Sequence, residues 1–395
     1  MPGVPEVLAA AAEALSRVAG GHVRLEDAAV LRSGPRTLVL RTRVSAETGL
    51  PTSVIVKAHL YDGPWATSVR EPAGLGLLTS YVVRPALAPE LLAVADDPPM
   101  VVLRDLSPTG PPRDLAALLL GADPVAAEDG LLAWADTLGR LHVATAGRRD
   151  EMSDALAATA RRLGRDAPPT DETSDSLDRA AATLADLLPR LGVIPSASAL
   201  AEIRHLQDGF GGDDRCWALT PGDTCPDNNI LTEAGAVLFD FEGAAIRHLA
   251  WDAAYLRVPW PSCWCAWRLP EDVARRALDR WRSAVGGHVH HVATPDFEAD
   301  LERAESGWAA VSTGWFLAGA LEGDDVPGGT DGTADRRVAP GRRALVLHRL
   351  ARAAGGTAPG LSAWRRLAAE TRAAAEAVWG PVDLELAPAF RRCAG

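Results

Sequence analysis

The stretch of sequence that decides the fold reads "LTPGDTCPDNNILTEAGAVLFDFEGA" and covers residues 219 to 244. Its two apolar runs are joined by the tight turn Glu233-Ala234-Gly235, which predicts a loop followed by a short β-hairpin. Polar side chains flank these runs, and we expect them to converge at one end of the two strands: Asp223, Asn228, Asp240 and Glu242.

The composition indicates a globular protein with an acidic surface. The chain has 395 residues, of which 47% are apolar and 23% are charged, and it is long enough for two lobes. Its formal net charge of -12 argues against a nucleic-acid or anionic-membrane partner, since phosphate-rich partners require clustered basic residues. It permits a cationic substrate, although solubility alone also explains an acidic excess.

Two features predict a cytoplasmic location. The first residues, "MPGVPEVLAAAAEALSRVAGGH", are typical of an amphipathic helix and not of a signal peptide, and no run approaches the about 20 apolar residues of a membrane span. The cysteines are odd in number and lack CxxC spacing, which favours reduced thiols over a zinc site or a disulfide framework. They are Cys216, Cys225, Cys263, Cys265 and Cys393.

Lysine is almost missing from this chain. Of the 40 basic residues, all but Lys57 are arginine. A bias toward arginine removes lysine wherever either cation serves, so the surviving lysine is expected where a compact ammonium is required. Chance survival is the alternative, and one residue does not exclude it.

The N-terminal part of the chain has the pattern of a β-rich lobe. A helix is predicted over residues 5–19, two strands within 28–44 around a Ser33-Gly34-Pro35 turn, and a third strand over 51–60. A helix follows from about Val69, because Pro72 is tolerated in a first turn. The strand in residues 98–108 runs into the Pro/Gly-rich connector "SPTGPPRD", where we place the boundary between lobes.

Beyond the connector the pattern becomes helical. Helices are predicted over residues 129–147, 296–320, 341–354 and 361–379, interrupted by the hairpin described above. Residues 322–341 are rich in Gly and Asp and are expected to form a mobile loop. The fold class is therefore α+β and bilobal, with a β-rich lobe over residues 1–105 and a mainly helical lobe over 106–395 that carries the hairpin.

The polar residues of the hairpin suit phosphoryl transfer. That reaction needs a cation on the phosphates, oxygen ligands for Mg²⁺ and a carboxylate that orients the attacking hydroxyl. In the protein-kinase pattern the loop aspartate precedes a metal-binding asparagine by five positions, and a metal-binding aspartate lies on a following strand. Asp223 precedes Asn228 by five, and Asp240 follows the apolar run "AVLF".

With these motifs the chain resembles the aminoglycoside phosphotransferase and choline kinase-like family. "PGDTCPDN" is similar to the family's H-G-D-x-x-x-x-N, "LFDFEGA" to its strand end, and "VIVK" to its third-strand lysine. "VREPAGLGLL", "LGRLHVA" and "WDAAYL" resemble further motifs in family order. The resemblance spans about residues 28 to 256 and implies a protein kinase-like fold, ATP and Mg²⁺ as cofactors and a small-molecule hydroxyl as acceptor.

The resemblance also implies a role for each matching residue. Asp223 would be the catalytic aspartate, and Asn228 and Asp240 would hold Mg²⁺. Lys57 would contact the nucleotide phosphates and pair with Glu71, and Asp252 would brace the loop. The backbone that would meet the adenine ring is that of Val102, Leu103 and Arg104. Glu242 is equally compatible with a second metal and with solvent.

Each role has a simpler alternative. Asp223 and Asp227 could serve only as turn residues, and Glu71 could be an acid favoured at a helix start. Pro221 occupies the position where the family usually has His, so this loop must be held differently or the chain is a nucleotide-binding pseudokinase. The acceptor could be an antibiotic, amino sugar, sugar or amino alcohol, and a Ser/Thr side chain of a maturing peptide is a second enzyme hypothesis.

Three further clusters are interpreted more simply. The histidines of "GHVHH" could bind a metal but read as an exposed loop: His288, His290 and His291. The tryptophans of residues 259–270 could line a pocket but are more typical of core packing: Trp260, Trp264 and Trp267. Four loop aspartates could recognise amines but are more typical of solvated charges: Asp213, Asp214, Asp324 and Asp325.

Overall fold

The computed structural model describes residues 2–45, 49–61, 63, 66–81, 83–107, 113–323 and 339–393 and confirms the α+β class. Its N-terminal strands form one antiparallel sheet in the order β1-β2-β3-β5-β4. The elements of this part are α1 (Val4–Ala19), β1 (Arg24–Ser33), β2 (Thr37–Ser45), β3 (Ser53–His59), α2 (Thr67–Ser80), β4 (Leu91–Asp96) and β5 (Pro99–Arg104).

The C-terminal part is mainly helical and contains two short antiparallel strand pairs, β6 with β9 and β7 with β8. Its elements are α3 (Leu115–Leu119), α4 (Pro124–Thr145), α5 (Arg149–Arg162), α6 (Thr173–Leu187), α7 (Ala197–Arg204), β6 (Trp217–Thr220), β7 (Asn229–Thr232), β8 (Gly235–Leu238), β9 (Ala245–His248), α8 (Ala250–Ala253), α9 (Glu271–Val285), α10 (Asp296–Glu322), α11 (Arg342–Gly355) and α12 (Ser362–Trp379).

The described residues contain two hydrophobic cores. The boundary between these cores does not coincide with the boundary between the N-terminal part and the helical part. The smaller core lies between α1 and one face of the sheet, with Leu15, Leu40 and Val56 fully buried. The larger core runs through the helical part and also includes α2 residues such as Val69. The helix that carries Glu71 is therefore packed on the helical part as well as on the sheet.

A close contact joins α2 to the segment that follows the β7–β8 hairpin. Gly74 lies on α2, and a Cβ atom at that position would come within 2.7 Å of the Ala244 Cβ. That separation is shorter than real carbon atoms allow, so a side chain at Gly74 would push the two segments apart. Glycine here lets α2 lie directly beside residues 240 to 244.

Most predicted elements are confirmed within a few residues, and the differences have local causes. α2 begins at Thr67, two residues before the predicted start, so Pro72 lies beyond the first turn. β4 and β9 were not predicted: β9 is four residues long and its partner β6 is distant in sequence, whereas β4 forms a hairpin with β5 across Asp97-Pro98. The loop expected over 322–341 falls mostly on residues 324–338, which lie outside the described residues together with Asp324 and Asp325.

The helices of the described residues include none with the length and apolar character needed to cross a membrane.

Candidate active site

The single lysine of the chain lies at the centre of a cluster of carboxylates. Lys57 is on β3, and its Nζ lies 3.0 Å from Oε1 of Glu71 on α2 and 2.9 Å from Oε1 of Glu242. Nζ also contacts a carboxylate oxygen of Asp240. On the same strand, His59 Nε2 lies 3.1 Å from the other oxygen of Glu71. One cation of the N-terminal sheet thus joins α2 to the strand end that follows the hairpin.

Burial and charge act in opposite directions on this cluster. Burial by itself would lower the pKa of Lys57, but the charges of Asp240, Glu71 and Glu242 outweigh it and raise that pKa. Burial by itself would raise the pKa of Glu71, yet the Lys57 charge and a hydrogen bond with His59 bring it to about 2. For Asp240 burial has the larger effect, and its pKa lies above the ordinary value. The Lys57 charge thus favours the ionised form of Glu71.

The hairpin places two oxygen donors side by side. β7 and β8 are antiparallel, and the last contact of their ladder is the Phe239 backbone N–H, which donates to the Asn228 carbonyl at 3.0 Å. Asn228 and Asp240 therefore lie at the same end of the hairpin. Asp240 has a φ of 63°, a conformation that typically costs a non-glycine residue of order 1–3 kcal/mol. The fold holds this carboxylate in a strained backbone position at the cleft.

This donor set fits a hard divalent cation such as Mg²⁺. The Asn228 amide nitrogen donates to the Asp223 carbonyl at 3.0 Å, so the atom that Asn228 has to offer a metal is its side-chain oxygen. Asp240 and Glu242 add carboxylate oxygens, and oxygen ligands are what Mg²⁺ prefers. The neighbouring Asn229 is fully used inside the protein, because it accepts from the Leu115 N–H and donates to the Pro226 carbonyl.

Asp223 lies half-buried on the loop of residues 221–228, which we call the Asp223 loop. Its Oδ1 accepts a hydrogen bond of 2.6 Å from the Ser262 hydroxyl, and Ser262 in turn contacts the Tyr255 hydroxyl at 2.9 Å. Burial raises the pKa of Asp223 to about 7, although the hydrogen bond from Ser262 opposes that shift. The charges of Asp227 and Asp240 raise it further. A carboxyl with this pKa can take up a proton near neutral pH.

A buried carboxylate, that of Asp252, stabilises the Asp223 loop through a chain of hydrogen bonds. Asp252, on α8, accepts hydrogen bonds from the Thr220 hydroxyl at 2.9 Å and from His142 Nε2 at 3.2 Å. The Trp281 indole N–H donates to His142 Nδ1 at 3.1 Å, which assigns the proton of that ring to Nε2. The Gly222 N–H donates to the Thr220 hydroxyl at 3.0 Å. This chain of bonds supports the loop without a side-chain hydrogen bond from position 221.

Close packing also restrains the loop. Gly222 has a φ of 95°, a left-handed conformation that favours glycine. A Cβ atom at Gly222 would come within 2.4 Å of the Gly243 carbonyl oxygen. The Arg247 side chain donates to the Gly222 carbonyl at 3.1 Å. The loop therefore lies directly against the segment that follows Asp240.

Replacing Asp252 by Ala is expected to lower the free energy of unfolding by about 2–4 kcal/mol, because the His142 N–H and the Thr220 hydroxyl would lose their acceptor in a buried site. Urea denaturation measures this change. Thr220→Val, which removes one of the two donors, is the control and is expected to cost less. A variant Asp252→Ala as stable as the wild type would contradict this account of the loop.

The cysteine prediction was wrong for one pair. Cys225 lies in the Asp223 loop and forms a disulfide with Cys263, next to Ser262, with 5.8 Å between their Cα atoms. The two residues are 38 positions apart in sequence, so no local motif signals the pairing. Cys216 and Cys265 are buried free thiols.

Residues Val102 to Arg104 lie inside the sheet. β5 is between β3 and β4, so Val102 and Leu103 face paired residues on both sides. Arg104 pairs with Val54, and its N–H donates to the Glu90 carbonyl at 3.0 Å. The resemblance assigns the backbone of these three residues to the adenine ring, and the first backbone groups beyond the ladder belong to residues 105–107.

The remaining sequence clusters have structural roles in the described residues. Trp260 is fully buried and Trp267 is 9% exposed, as expected for core packing, and the Trp264 indole N–H donates to Asp227 at 2.7 Å. His288 and His290 are exposed, whereas His291 is half-buried and bonded to Asp300 at 2.6 Å. The loop interpretation of these histidines is therefore right for two of the three.

A cleft of about 300 Å³ opens beside Asp223. Asp240 and Glu242 line one side, and the aromatic residues Trp308 and Trp315 of α10 line another. The cleft thus joins the lysine cluster, the Asp223 loop and the helical part. Its volume is that of a small-molecule site.

Comparisons with known proteins return similarity only at the level of structure. No protein-family model matches the chain, and no curated protein matches it. The solved structure of a choline/ethanolamine kinase family protein from Mesorhizobium loti is 15% identical, with a TM-score of 0.47 over 88% of this chain and 93% of that one. A choline kinase from Cryptosporidium parvum is 12% identical, with a TM-score of 0.46 over 84% and 88%. Aminoglycoside 2'-phosphotransferase-IIIa in complex with GDP is 15% identical, with a TM-score of 0.44 over 88% and 93%.

These solved structures are of the kinds that the sequence resemblance named. In this chain the sheet of β1 to β5 contributes Lys57, α2 contributes Glu71 and the hairpin strand end contributes Asp240. The described residues form an α+β fold. Within that fold Lys57 of the sheet contacts Glu71, Asp240 and Glu242, and the last two of these carboxylates line one cleft together with Asp223.

Proposed function

We propose that this protein is an ATP-dependent O-phosphotransferase that transfers the γ-phosphate of ATP to a hydroxyl of a small molecule. The observation that carries the proposal is the Lys57 cluster. Its lysine contacts Glu71, Asp240 and Glu242 at the edge of the cleft that Asp223 also lines. A purely structural ion cluster would not need to open onto a cleft with a second, separate carboxyl whose pKa is raised.

The roles proposed for the chain follow from these positions. Lys57, held by Glu71, would contact the phosphates. The adenine ring would meet the backbone at the end of β5, which the resemblance places at Val102 to Arg104 and which leaves the sheet ladder at residues 105–107. Asn228, Asp240 and Glu242 would hold Mg²⁺, which when bound neutralises the charge of the transferring phosphoryl group. Arg36, in the β1–β2 turn, lines the mouth of the cleft and would add a second cation there.

Asp223 would orient the acceptor hydroxyl and take its proton. Its carboxyl is held by Ser262 and lies in the cleft, and its raised pKa suits proton uptake near neutral pH. The reaction is proposed to place acceptor oxygen, phosphorus and leaving oxygen in line, with positioning and electrostatic stabilisation as the main contributions of the protein. The acceptor classes consistent with the family resemblance are aminoglycoside-like antibiotics, amino sugars, sugars and amino alcohols.

The proposal also includes the division of the chain into lobes and its cellular location. The nucleotide would lie between a lobe of residues 1–105 and a lobe of residues 106–395, and the reaction would take place in the cytoplasm. The cleft of about 300 Å³ suits a small acceptor more than a peptide, which favours the small-molecule reading over the Ser/Thr kinase alternative.

Calorimetric titration with ATP tests the nucleotide site. The wild type is expected to bind ATP in the presence of Mg²⁺, and Asp240→Ala is expected to weaken that binding by about tenfold or more, because a charged metal ligand typically contributes over 1.4 kcal/mol. Glu233→Gln is the matched control, since Glu233 is an exposed acid in the turn of the same hairpin. Equal affinity of the Asp240 variant and the wild type would remove the basis for the proposed metal site.

A further inference from the structure

A positively charged side chain, that of Arg247, lines the cleft close to Asp223. Arg247, on β9, is half-buried in the cleft, and its guanidinium lies over the Trp308 ring, 5.9 Å from the ring centroid. This side chain donates a hydrogen bond to a backbone carbonyl, that of Gly222. Its charge therefore faces the cleft one residue away from Asp223 without a carboxylate partner among the described ion pairs.

Most carboxylates that line the cleft already form ion pairs with basic residues of the protein. Glu172 pairs with Arg70 at 2.6 Å, and Arg70 is further fixed by hydrogen bonds to the carbonyls of Ala244 and Pro169. Asp240 and Glu242 pair with Lys57. Apart from Asp223, the described lining residues thus offer no carboxylate that is free to receive a substrate ammonium group.

Aromatic residues next to Arg247 also line the cleft. Trp308, Val311 and Trp315 follow one another at intervals of three and four on α10, which places them on the same face of the helix. Trp308 and Val311 are buried, but the Trp315 side chain is 50% exposed in the cleft. The planes of the Trp308 and Trp315 rings meet edge-on at 60°, so the exposed Trp315 indole is the apolar surface that is offered to a ring.

We infer that the acceptor is a ring-bearing hydroxy acid: its ring lies on Trp315, its acidic group pairs with Arg247, and its hydroxyl faces Asp223. The inference rests on the proposed function and narrows its acceptor class, since a polycationic aminoglycoside or an amino alcohol would meet Arg247 as a like charge. Arg247 also offsets the repulsion that an acid would otherwise meet from Asp223. Two classes of compound carry a ring, an acidic group and a hydroxyl: aryl hydroxy acids and sugar acids.

Two matched sets of probes separate charge from shape. The aryl set is phenyllactate, 3-phenyl-1,2-propanediol and phenylalaninol, and the sugar set is glucuronate, glucose and glucosamine. In each set the ring is kept while the charge changes from negative through neutral to positive. Binding is measured by calorimetric titration, without nucleotide and with a non-hydrolysable ATP analogue and Mg²⁺, so that the readout does not depend on turnover.

In at least one set we expect the acid to bind about tenfold or more tightly than the amine. Arg247→Gln is expected to remove that preference, and Trp315→Ala is expected to weaken all members of the same set. Arg149→Gln is the matched control, because Arg149 also lies over a tryptophan ring, that of Trp217, but is exposed outside the cleft. Its probe affinities should equal those of the wild type.

Three results overturn the inference. These are an amine that binds as tightly as the acid in both sets, an acid preference that survives Arg247→Gln, and no binding of either acid at 10 mM. If Arg247→Gln instead weakens the ATP analogue, Arg247 serves the nucleotide and the inference also fails. Failure of the proposed function is a different outcome, seen as loss of Mg²⁺-dependent ATP binding in the wild type.

Discussion

Replacing Lys57 by Met is expected to lower the free energy of unfolding by about 3–5 kcal/mol in metal-free protein at pH 7. The substitution keeps the length of the side chain but leaves Glu71, Asp240 and Glu242 without the cation that they share. Removing one partner of a buried ion pair is costly because the remaining charge stays out of water. Urea denaturation followed by circular dichroism measures the change.

The loss should depend on pH with a defined sign. Lys57 is among the groups that hold the pKa of Glu71 at about 2 against the effect of burial. Without Lys57 burial raises that folded-state pKa, so the folded variant binds a proton more readily than the unfolded chain and its stability falls as pH rises. The deficit relative to wild type is therefore expected to be largest at neutral pH and to shrink toward pH 5.

Arg43→Met provides the control for the lysine experiment. Arg43 lies on the neighbouring strand β2 and pairs with Glu26 and Asp27, but its side chain is 54% exposed. Its loss is expected to change stability far less than the loss of Lys57, with weak pH dependence. Similar effects of the two substitutions would show that the Lys57 cluster is an ordinary surface network.

Replacing Asp223 by Asn is expected to lower kcat for phosphoryl transfer by about 10²- to 10⁴-fold while ATP binding with Mg²⁺ is retained. The amide keeps the size of the side chain and can still contact Ser262, but it cannot take the acceptor's proton. ADP release dependent on an acceptor measures the rate, and calorimetry measures the ATP affinity. Acceptor-dependent transfer that is unchanged in the variant would assign proton transfer elsewhere, and wild type that binds ATP but transfers to no acceptor would support the pseudokinase reading.

The same substitution is expected to stabilise the metal-free protein. The pKa of Asp223 rises from 3.8 to about 7 on folding, so the folded state holds a proton that the unfolded chain releases. Wild-type stability is therefore lost as pH rises from about 4 to 7 and does not return above 7. Because the side chain is only half-buried, we expect Asp223→Asn to raise the free energy of unfolding at pH 8 by about 1–3 kcal/mol and to have little effect near pH 4.

A denaturation series from pH 4 to pH 8 tests this expectation. Glu233→Gln is the control, since Glu233 is an exposed acid outside the Asp223 loop. A constant difference between Asp223→Asn and wild type across the series would contradict a raised pKa. A gain in stability together with a loss of transfer would mark Asp223 as a residue kept for function at the expense of stability.

Secondary structure could be predicted where a local pattern was strong. The helical period of α10, predicted over 296–320 and observed over Asp296–Glu322, extends over seven turns and leaves little choice of structure. The β7–β8 hairpin was predictable because a tight turn separates two apolar runs. β9 was not predictable in the same way, since its four residues depend on β6 for their pairing. The Asp97-Pro98 step between two apolar runs was a signal for β4 that could have been used.

The residues of the candidate site likewise divide into those that a local sequence pattern indicated and those that only the structure revealed. Spacing within one segment named Asp223, Asn228 and Asp240, and the scarcity of lysine named Lys57. Nothing in the sequence indicated Ser262, which lies 39 positions from Asp223 and donates to it. The contact of Gly74 with Ala244 was equally hidden, because an isolated glycine in a helical pattern has several possible causes.

The sequence by itself determined the α+β class, the hairpin and the set of ionisable residues, because those depend on local periodicity, turn chemistry and residue type. The tertiary structure decided which of those residues share a cleft, which carboxylate has its pKa raised, and that Cys225 is paired with Cys263. It also decided which charges line the cleft, through Arg247 and the ion pairs that occupy carboxylates there. Burial and pairing between distant segments set these properties, and neither is encoded in the spacing of residues along a chain.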